Sequence, residues 1–280
     1  MSGVLLGVLC LFATVSSMAQ KNEHIVKSGF NGKTYHLYVS LPESYSINDT
    51  IHYPVLYVLD GKYSFHLFHA IRQVMDMGQE IKDVIIVAVG DDSKTYNEWL
   101  ANRHADFTPS HNPQRDSFFV KILHLEAGSL KSGGADLFLK SLKYDLMPYI
   151  NKKYKTNGDN SISGHSLGGL FAGYCLLTEP YLFTRYGINS PSFWWDPQGI
   201  DNQIKNFAKN PLHRKTDIFI SVGKLEGDMM IAPVNRFKDG MAALNNKNIV
   251  LCNQVFENET HLSVVPACSS RTLKVLYGRK

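Results

Sequence analysis

Gly164-His165-Ser166-Leu167-Gly168-Gly169 is a G-x-S-x-G pentapeptide followed by one more glycine, and what flanks it decides how the chain folds. Such a pentapeptide arises often by chance, so the flanks carry the argument. Residues 160–164 are short enough for a buried strand, and Leu167, Leu170, Phe171, Tyr174 and Leu177 recur downstream at helical intervals. A serine held at a sharp strand-to-helix turn sits where neighbouring side chains would collide, and glycines at both flanks relieve that crowding. The turn then presents the Ser166 hydroxyl as a nucleophile. A merely structural turn is the alternative, which the strand and helix signals disfavour.

A nucleophilic serine needs a base to take its proton and an acid to orient the base, and in an α/β-hydrolase they follow in the order serine, acid, histidine. Only His213 and His261 lie beyond Ser166. His213 falls in the polar run 210–215, a surface connection. His261 follows the apolar stretch 249–256 and precedes the periodic segment 264–277, which places it in a loop after a late strand, as the base; a histidine capping the last helix is the alternative. Residues 216–222 read as a strand, and Glu226 in the turn beyond is the first choice of acid. Asp228 is the second and Asp196 a weaker third, while Glu257 and Glu259 read as solvent-facing. Acyl transfer also needs two backbone N–H groups aimed at the oxyanion. Leu167, next after the nucleophile, offers one, and the turn at Gly61 and Lys62, after the buried strand 53–60, offers the other unless it is an ordinary turn.

These residues resemble the Putative esterase family of α/β-hydrolases, the group that includes enterobactin-type siderophore trilactone esterases, feruloyl and acetyl-xylan esterases, and mycolyltransferases. Tyr53 to Gly61 is similar to the family's Y-P-V-L-Y-L-L-D-G strand, and the resemblance makes Lys62 the second oxyanion donor. Ser190-Pro191-Ser192-Phe193-Trp194-Trp195 resembles its S-P-S-x-W segment. Arg103-His104-Ala105-Asp106-Phe107-Thr108-Pro109, with Ser132-Gly133-Gly134-Ala135-Asp136, is similar to the trilactone-esterase-like branch. The likeness spans nearly all of residues 20–280 and implies an ester-cleaving serine enzyme. The acid position varies in such proteins, some of which lean on a serine and histidine pair, so Glu226 is the softest of the three assignments.

The chain has 280 residues, of which 44% are hydrophobic and 19% charged, the balance of one globular catalytic domain. Residues 4–15 form an apolar run too short to span a bilayer, and Ser17-Met18-Ala19 supplies small residues where a signal peptidase reads. Residues 1–19 thus read as a secretory signal, giving a secreted or periplasmic domain over 20–280; a buried N-terminal helix is the alternative. Without that leader three cysteines remain: Cys175 reads as a buried thiol, and Cys252 with Cys268 as either a disulfide or two free thiols. Asn48-Asp49-Thr50 and Asn258-Glu259-Thr260 match glycosylation sequons by chance. The net charge of +4 is spread along the chain without a basic, aromatic-interleaved stripe, which excludes a nucleic-acid reading. Among eleven histidines only His66 and His69 pair closely, and neither H-E-x-x-H nor paired cysteines occur, so no metal or other cofactor is expected.

Strands and helices alternate, which predicts an α/β protein: a mostly parallel sheet covered by helices on both faces. It opens with an antiparallel hairpin, residues 25–30 and 34–41 around Asn31-Gly32. A strand at 53–60, a helix over about 63–77 and a strand at 83–90 follow. Residues 91–133 are polar and irregular, too long for a simple connection, and read as a lid-like insertion or substrate wall. Phe138, Leu142, Leu146 and Tyr149 then mark one helix face. Substrate choice lies with that insertion and with Trp194 and Trp195, whose rings suit planar groups, packing being the equal alternative. Arg103 is spaced either to grip an anionic substrate or, the preferred reading, to pair with Asp106. The site thus serves a small-molecule ester, by hydrolysis or by acyl transfer to another acceptor; a binding protein on a spent hydrolase scaffold is least favoured because Ser166 and His261 are both present.

Overall fold

A computed structural model describes residues 22–47 and 50–279. The leader read in residues 1–19 and the first two sequon positions lie outside those residues. Eight strands form one sheet in the order β1-β2-β4-β3-β5-β6-β7-β8. β1 (Glu23–Lys27) and β2 (Thr34–Ser40) make the antiparallel hairpin at Asn31-Gly32, and β2 pairs antiparallel with β4 (Ile85–Asp91). From β4 onward every pair is parallel: β3 (Tyr53–Val58), β5 (Thr156–His165), β6 (Arg185–Asn189), β7 (Thr216–Gly223) and β8 (Ile249–Phe256). No helix among the described residues is long and apolar enough to cross a membrane.

The sheet is buried on both faces, and its central strands show why. In β3, Val55 and Tyr57 point into one core while Leu56 and Val58 point into the other; β4 repeats this with Val87 against Ile86 and Ala88. Side chains that alternate faces can all be apolar only when helices cover both sides. α1 (Gly61–Met77) and α9 (Val264–Tyr277) close one face through Phe65, Phe68, Leu273 and Tyr277. The other is closed by α4 (Ala135–Ser141), α5 (Met147–Lys153), α6 (Leu167–Thr178), α7 (Pro197–Phe207) and α8 (Asp228–Ala243). A wide π turn over Leu142–Leu146 joins α4 to α5, next to Pro148, which lacks the N–H a regular helical turn would use.

Two expectations change. Residues 91–133 hold two helices, α2 (Tyr96–Phe107) and α3 (Pro113–Ile122). They escape an apolar pattern because what α2 buries is largely polar: His104 and Asp106 beside Phe107. Their caps were nonetheless written out, since Thr95 accepts from Glu98 N–H at 3.2 Å and Asn112, before Pro113, accepts from Arg115 N–H at 3.0 Å. Second, β5 begins four residues earlier than 160, because its polar first turn pairs with β3 at Tyr53. Cys252 and Cys268 are free thiols, the first exposed on β8 and the second buried in α9.

Candidate active site

The six parallel strands, β3 to β8, end on the same edge, and four of the turns beyond them build the site. β5 runs into α6 through Ser166, whose φ of 62° and ψ of −121° lie where side chains are normally excluded. The flanking glycines are required by contact: a Cβ on Gly164 would sit 2.3 Å from the Gly168 carbonyl oxygen, and one on Gly169 would sit 2.7 Å from that of Asn189. The elbow is therefore closed against itself on one side and against the end of β6 on the other.

β7 ends in a short 3-10 turn, Lys224–Glu226, that carries Glu226 inward. A Cβ on Gly223 would lie 2.5 Å from the Glu259 carbonyl oxygen, and Leu225 N–H donates to that same oxygen at 2.9 Å. The loop after β8 is thus pressed onto the β7 turn, which sets His261 over Glu226. His261 Nε2 is 3.0 Å from Ser166 Oγ, and His261 Nδ1 is 2.6 Å from Glu226 Oε2. The Glu226 side chain is wholly inaccessible. Burial pushes its carboxyl upward, but hydrogen bonds from His261, Ser190 and Gly223 outweigh that and hold it below the usual carboxylate range. An ionised Glu226 accepts a hydrogen bond from Nδ1–H and so keeps the proton on that nitrogen, which leaves Nε2 with a lone pair turned to the serine. Serine, imidazole and carboxylate in this order can transfer a proton away from the serine as it attacks.

The other acids and the other histidine are elsewhere. Asp228 is exposed at the start of α8, Asp196 caps α7 by accepting from Gly199 N–H at 2.9 Å, and His213 is exposed before β7. Glu257 is exposed, and Glu259 accepts from Ser263 Oγ. His69 is 2.7 Å from Ser40 Oγ on the far side of β2.

Leu167 and Lys62 each lie in the first turn of a helix, α6 and α1, where N–H groups have no helical carbonyl to meet. The two helix starts are adjacent: Leu59 N–H donates to Ser163 O at 3.0 Å, and the Cα of Gly168 faces the Asp60 carboxylate. Gly61 lets α1 start against the end of β4, since a Cβ there would stand 2.5 Å from the Gly90 nitrogen.

Arg103 does not pair with Asp106. Its guanidinium forks onto Asp60, Nε to Oδ1 at 2.9 Å and Nη2 to Oδ2 at 3.1 Å, while Asp106 turns away to Lys33 at 2.6 Å and the Tyr35 hydroxyl at 2.9 Å. α2 thereby braces the turn that carries Lys62 and also the N-terminal hairpin. Ser166 opens into a cleft of about 500 Å³ lined by Arg103, Phe119, Leu123, Leu130, Trp194 and Trp195. Trp195 is buried and Trp194 half-buried; Arg115 lies over both rings, 5.3 Å from the first and 5.8 Å from the second. Packing and access to the cleft therefore coexist in the pair. α2 and α3 are fixed to each other beneath it by His104 Nε2 and Asp116 at 2.8 Å.

Four neighbours of the site escaped the sequence reading of roles. Ser190 Oγ and Gly223 N–H each donate to Glu226 Oε1 at 2.6 Å, Ser192 Oγ lies 3.4 Å from Ser166 Oγ, and the His165 ring rests 4.6 Å from the His261 ring. The Ser190-Pro191-Ser192 motif was the available signal for two of them.

A mostly parallel sheet clad in helices, with a strained serine at the turn after its central strand, defines the α/β-hydrolase class. The chain belongs to the family described as Putative esterase, whose model matches residues 28–126 and 126–249, and it is a serine hydrolase of carboxylic esters. It is 30% identical over 273 residues to the ferri-bacillibactin esterase BesA of Bacillus subtilis, an alignment covering 93% of this chain and 88% of the relative. The crystal structure of the BES protein from Bacillus cereus superposes with a TM-score of 0.77 at 30% identity, covering 91% of this chain and 95% of the other. An IroE-like serine hydrolase from Shewanella oneidensis shares the fold with a TM-score of 0.76 at 24% identity, covering 90% of this chain and 78% of the other.

Proposed function

We propose that the protein is an exported enzyme, with residues 1–19 as its signal, that hydrolyses the ester bonds of a siderophore through an acyl-enzyme on Ser166. The observation that carries the chemistry is the unbroken line from Ser166 Oγ through His261, at 3.0 Å and 2.6 Å, to a carboxylate held ionised at Glu226. Ser166 Oγ forms a bond to the ester carbonyl carbon while its proton passes to His261 Nε2. The carbonyl electrons collect on oxygen, between the Leu167 and Lys62 N–H groups. As they return, the carbon–oxygen bond to the alcohol breaks and the alcohol leaves with the proton from His261. Water repeats the sequence, giving a proton to His261 and its hydroxyl to the acyl carbon, and Ser166 recovers its proton.

The substrate class rests on the name of the Bacillus subtilis relative and on the cleft. Trp194 and Phe119 offer faces for planar aromatic groups, with the buried Trp195 ring packed behind them, and α2 and α3 form the wall that selects among esters. A p-nitrophenyl ester series, a catecholate trilactone and methyl ferulate, each given to the wild type and to Ser166→Ala, test the reading. Serine-dependent turnover fastest on the trilactone is expected. Fastest turnover of methyl ferulate overturns the siderophore assignment, and turnover that survives Ser166→Ala removes the nucleophile.

A further inference from the structure

We propose that Ser192 is a further catalytic residue, whose hydroxyl donates a hydrogen bond to Ser166 Oγ and stabilises the negative charge on that atom as the acyl-enzyme forms and as it breaks down. This rests on the reading of Ser166, His261 and Glu226 given above.

Geometry sets the direction of the bond. Ser166 has one proton and two partners, His261 Nε2 at 3.0 Å and Ser192 Oγ at 3.4 Å. Glu226 Oε2 accepts at His261 Nδ1, so Nε2 presents only a lone pair and the Ser166 proton lies toward it. The contact with Ser192 must then run from the Ser192 hydroxyl to a lone pair of Ser166 Oγ. Among the described residues Ser192 Oγ has no other hydrogen-bond partner to compete for its proton.

The placement is held by backbone. Ser192 N–H donates to Ser166 O at 3.0 Å, Ser166 N–H donates to Asn189 O at 3.0 Å, and Ser190 N–H donates to Ser221 O at 2.7 Å. α6 presses on the same segment, since a Cβ on Gly169 would come within 3.0 Å of the Pro191 Cα. Ser190 has a φ of 39°, unusual for a residue with a side chain, and its hydroxyl donates to Glu226 Oε1 at 2.6 Å. One three-residue turn therefore sends a donor to each end of the relay: Ser190 to the acid, Ser192 to the nucleophile. Backbone strain concentrated at such a turn fits a functional constraint.

The chemistry needs no extra reactant, because Ser192 keeps its proton throughout. In acylation the Ser166 proton moves to Nε2 as the bond from Oγ to the acyl carbon forms; in deacylation that bond breaks, its electron pair returns to Oγ, and the proton comes back from His261. Oγ carries most charge in those two transition states and little in the resting serine or the acyl ester. A donor aimed at it thus favours the transition states over the ground states, which raises kcat and leaves KM nearly unchanged. The resting 3.4 Å is long, and such contacts tighten when the acceptor becomes charged.

The test is Ser192→Ala, read by the rate of covalent labelling with a fluorophosphonate and by kcat and KM on p-nitrophenyl acetate. Labelling needs only attack of Ser166 Oγ on phosphorus with loss of fluoride, so it reports the nucleophile without the ester cleft. We expect both the labelling rate and kcat to fall about tenfold, the effect of one hydrogen bond to a developing charge, with KM within about twofold. Ser192→Cys, close in size and a weaker donor, should fall between the two, and it takes the place of Ser192→Ala in both assays if the latter does not melt cooperatively. Wild-type labelling by the folded variant overturns the proposal, as does a change confined to KM. Ser166→Ala separates the two claims: labelling that persists there removes the triad reading, whereas an unlabelled Ser166→Ala beside a wild-type Ser192→Ala removes this inference alone.

Discussion

Ser166→Gly should inactivate the enzyme and yet leave it more stable than Ser166→Ala. Both substitutions remove the hydroxyl and its contacts with His261 and Ser192, so the pair differs only in the Cβ. At φ 62° and ψ −121° that Cβ is held in a region open almost only to glycine, a strain of about 1–3 kcal/mol. Against this, glycine gives the unfolded chain more freedom, a loss of about 0.5–1 kcal/mol. The balance leaves the glycine variant ahead by about 1 kcal/mol, which for a domain of this size is a rise of roughly 2–4 °C in Tm. Thermal melting of both variants at neutral pH, followed by circular dichroism, measures the difference, and a urea midpoint with unchanged slope confirms that stability alone has moved. If Ser166→Ala melts at or above Ser166→Gly, the elbow stores no strain and the account of its glycines is wrong.

The Arg103–Asp60 fork, with side chains only 13% and 16% exposed, should matter more for the charge it neutralises than for attraction. Arg103→Met is expected to cost about 3 kcal/mol and to lower kcat by loosening the Lys62 turn, while the double variant with Asp60→Asn recovers part of the stability; failure of the double variant to recover any argues against a buried unpaired carboxylate as the cause. His165, pushed down to about 3 by burial and then by the electrostatic effect of His261, stays neutral in the fold, but takes a proton at its ordinary value near 6.5 when unfolded. A depressed folded value means its contribution is fully present above about pH 6.5 and is lost as pH falls toward 3, at up to about 1.4 kcal/mol per unit. Urea midpoints between pH 7 and 4 should therefore drop less steeply for His165→Gln than for the wild type, and parallel curves would assign the acid sensitivity elsewhere.

What the sequence reveals depends on how local the determinant is. The alternation of strands and helices, the Asn31-Gly32 hairpin and the serine turn follow from apolar runs and glycine spacing, because each is set by contacts within a few residues. Ser166, Glu226 and His261 could be singled out as following the strands now seen as β5, β7 and β8, and the fold brings them into one line. α2 could not be read from apolar periodicity, since it buries His104 and Asp106 against partners distant in sequence. For the same reason Arg103 was matched to Asp106, a neighbour one helical turn away, when each side chain reaches a different strand connection. The donors on Glu226 and Ser166 were hidden because a serine two residues from another carries no periodic signal; only the adjacency of β6 to β5 and β7 aims them.

The site divides by what holds it. The proposed nucleophile, base, acid and N–H donors are placed by backbone: a turn closed on Gly164 and Gly169, a helix start on Gly61, a loop pressed on Gly223. In each case a single Cβ would separate the parts by more than a hydrogen bond tolerates. The cleft wall is placed instead by side chains, with Phe119, Leu123 and Leu130 around the Trp194 and Trp195 rings and the His104–Asp116 contact beneath. Side chains can change size while the strand ends stay where they are, whereas a glycine contact admits no graded change. Substitutions that tune the choice of ester therefore have room on α2 and α3, and substitutions in the four strand-end turns are read first as loss of the nucleophile. That asymmetry is a physical reason one hydrolase scaffold can keep its strand-end turns while the side chains of the proposed cleft wall change.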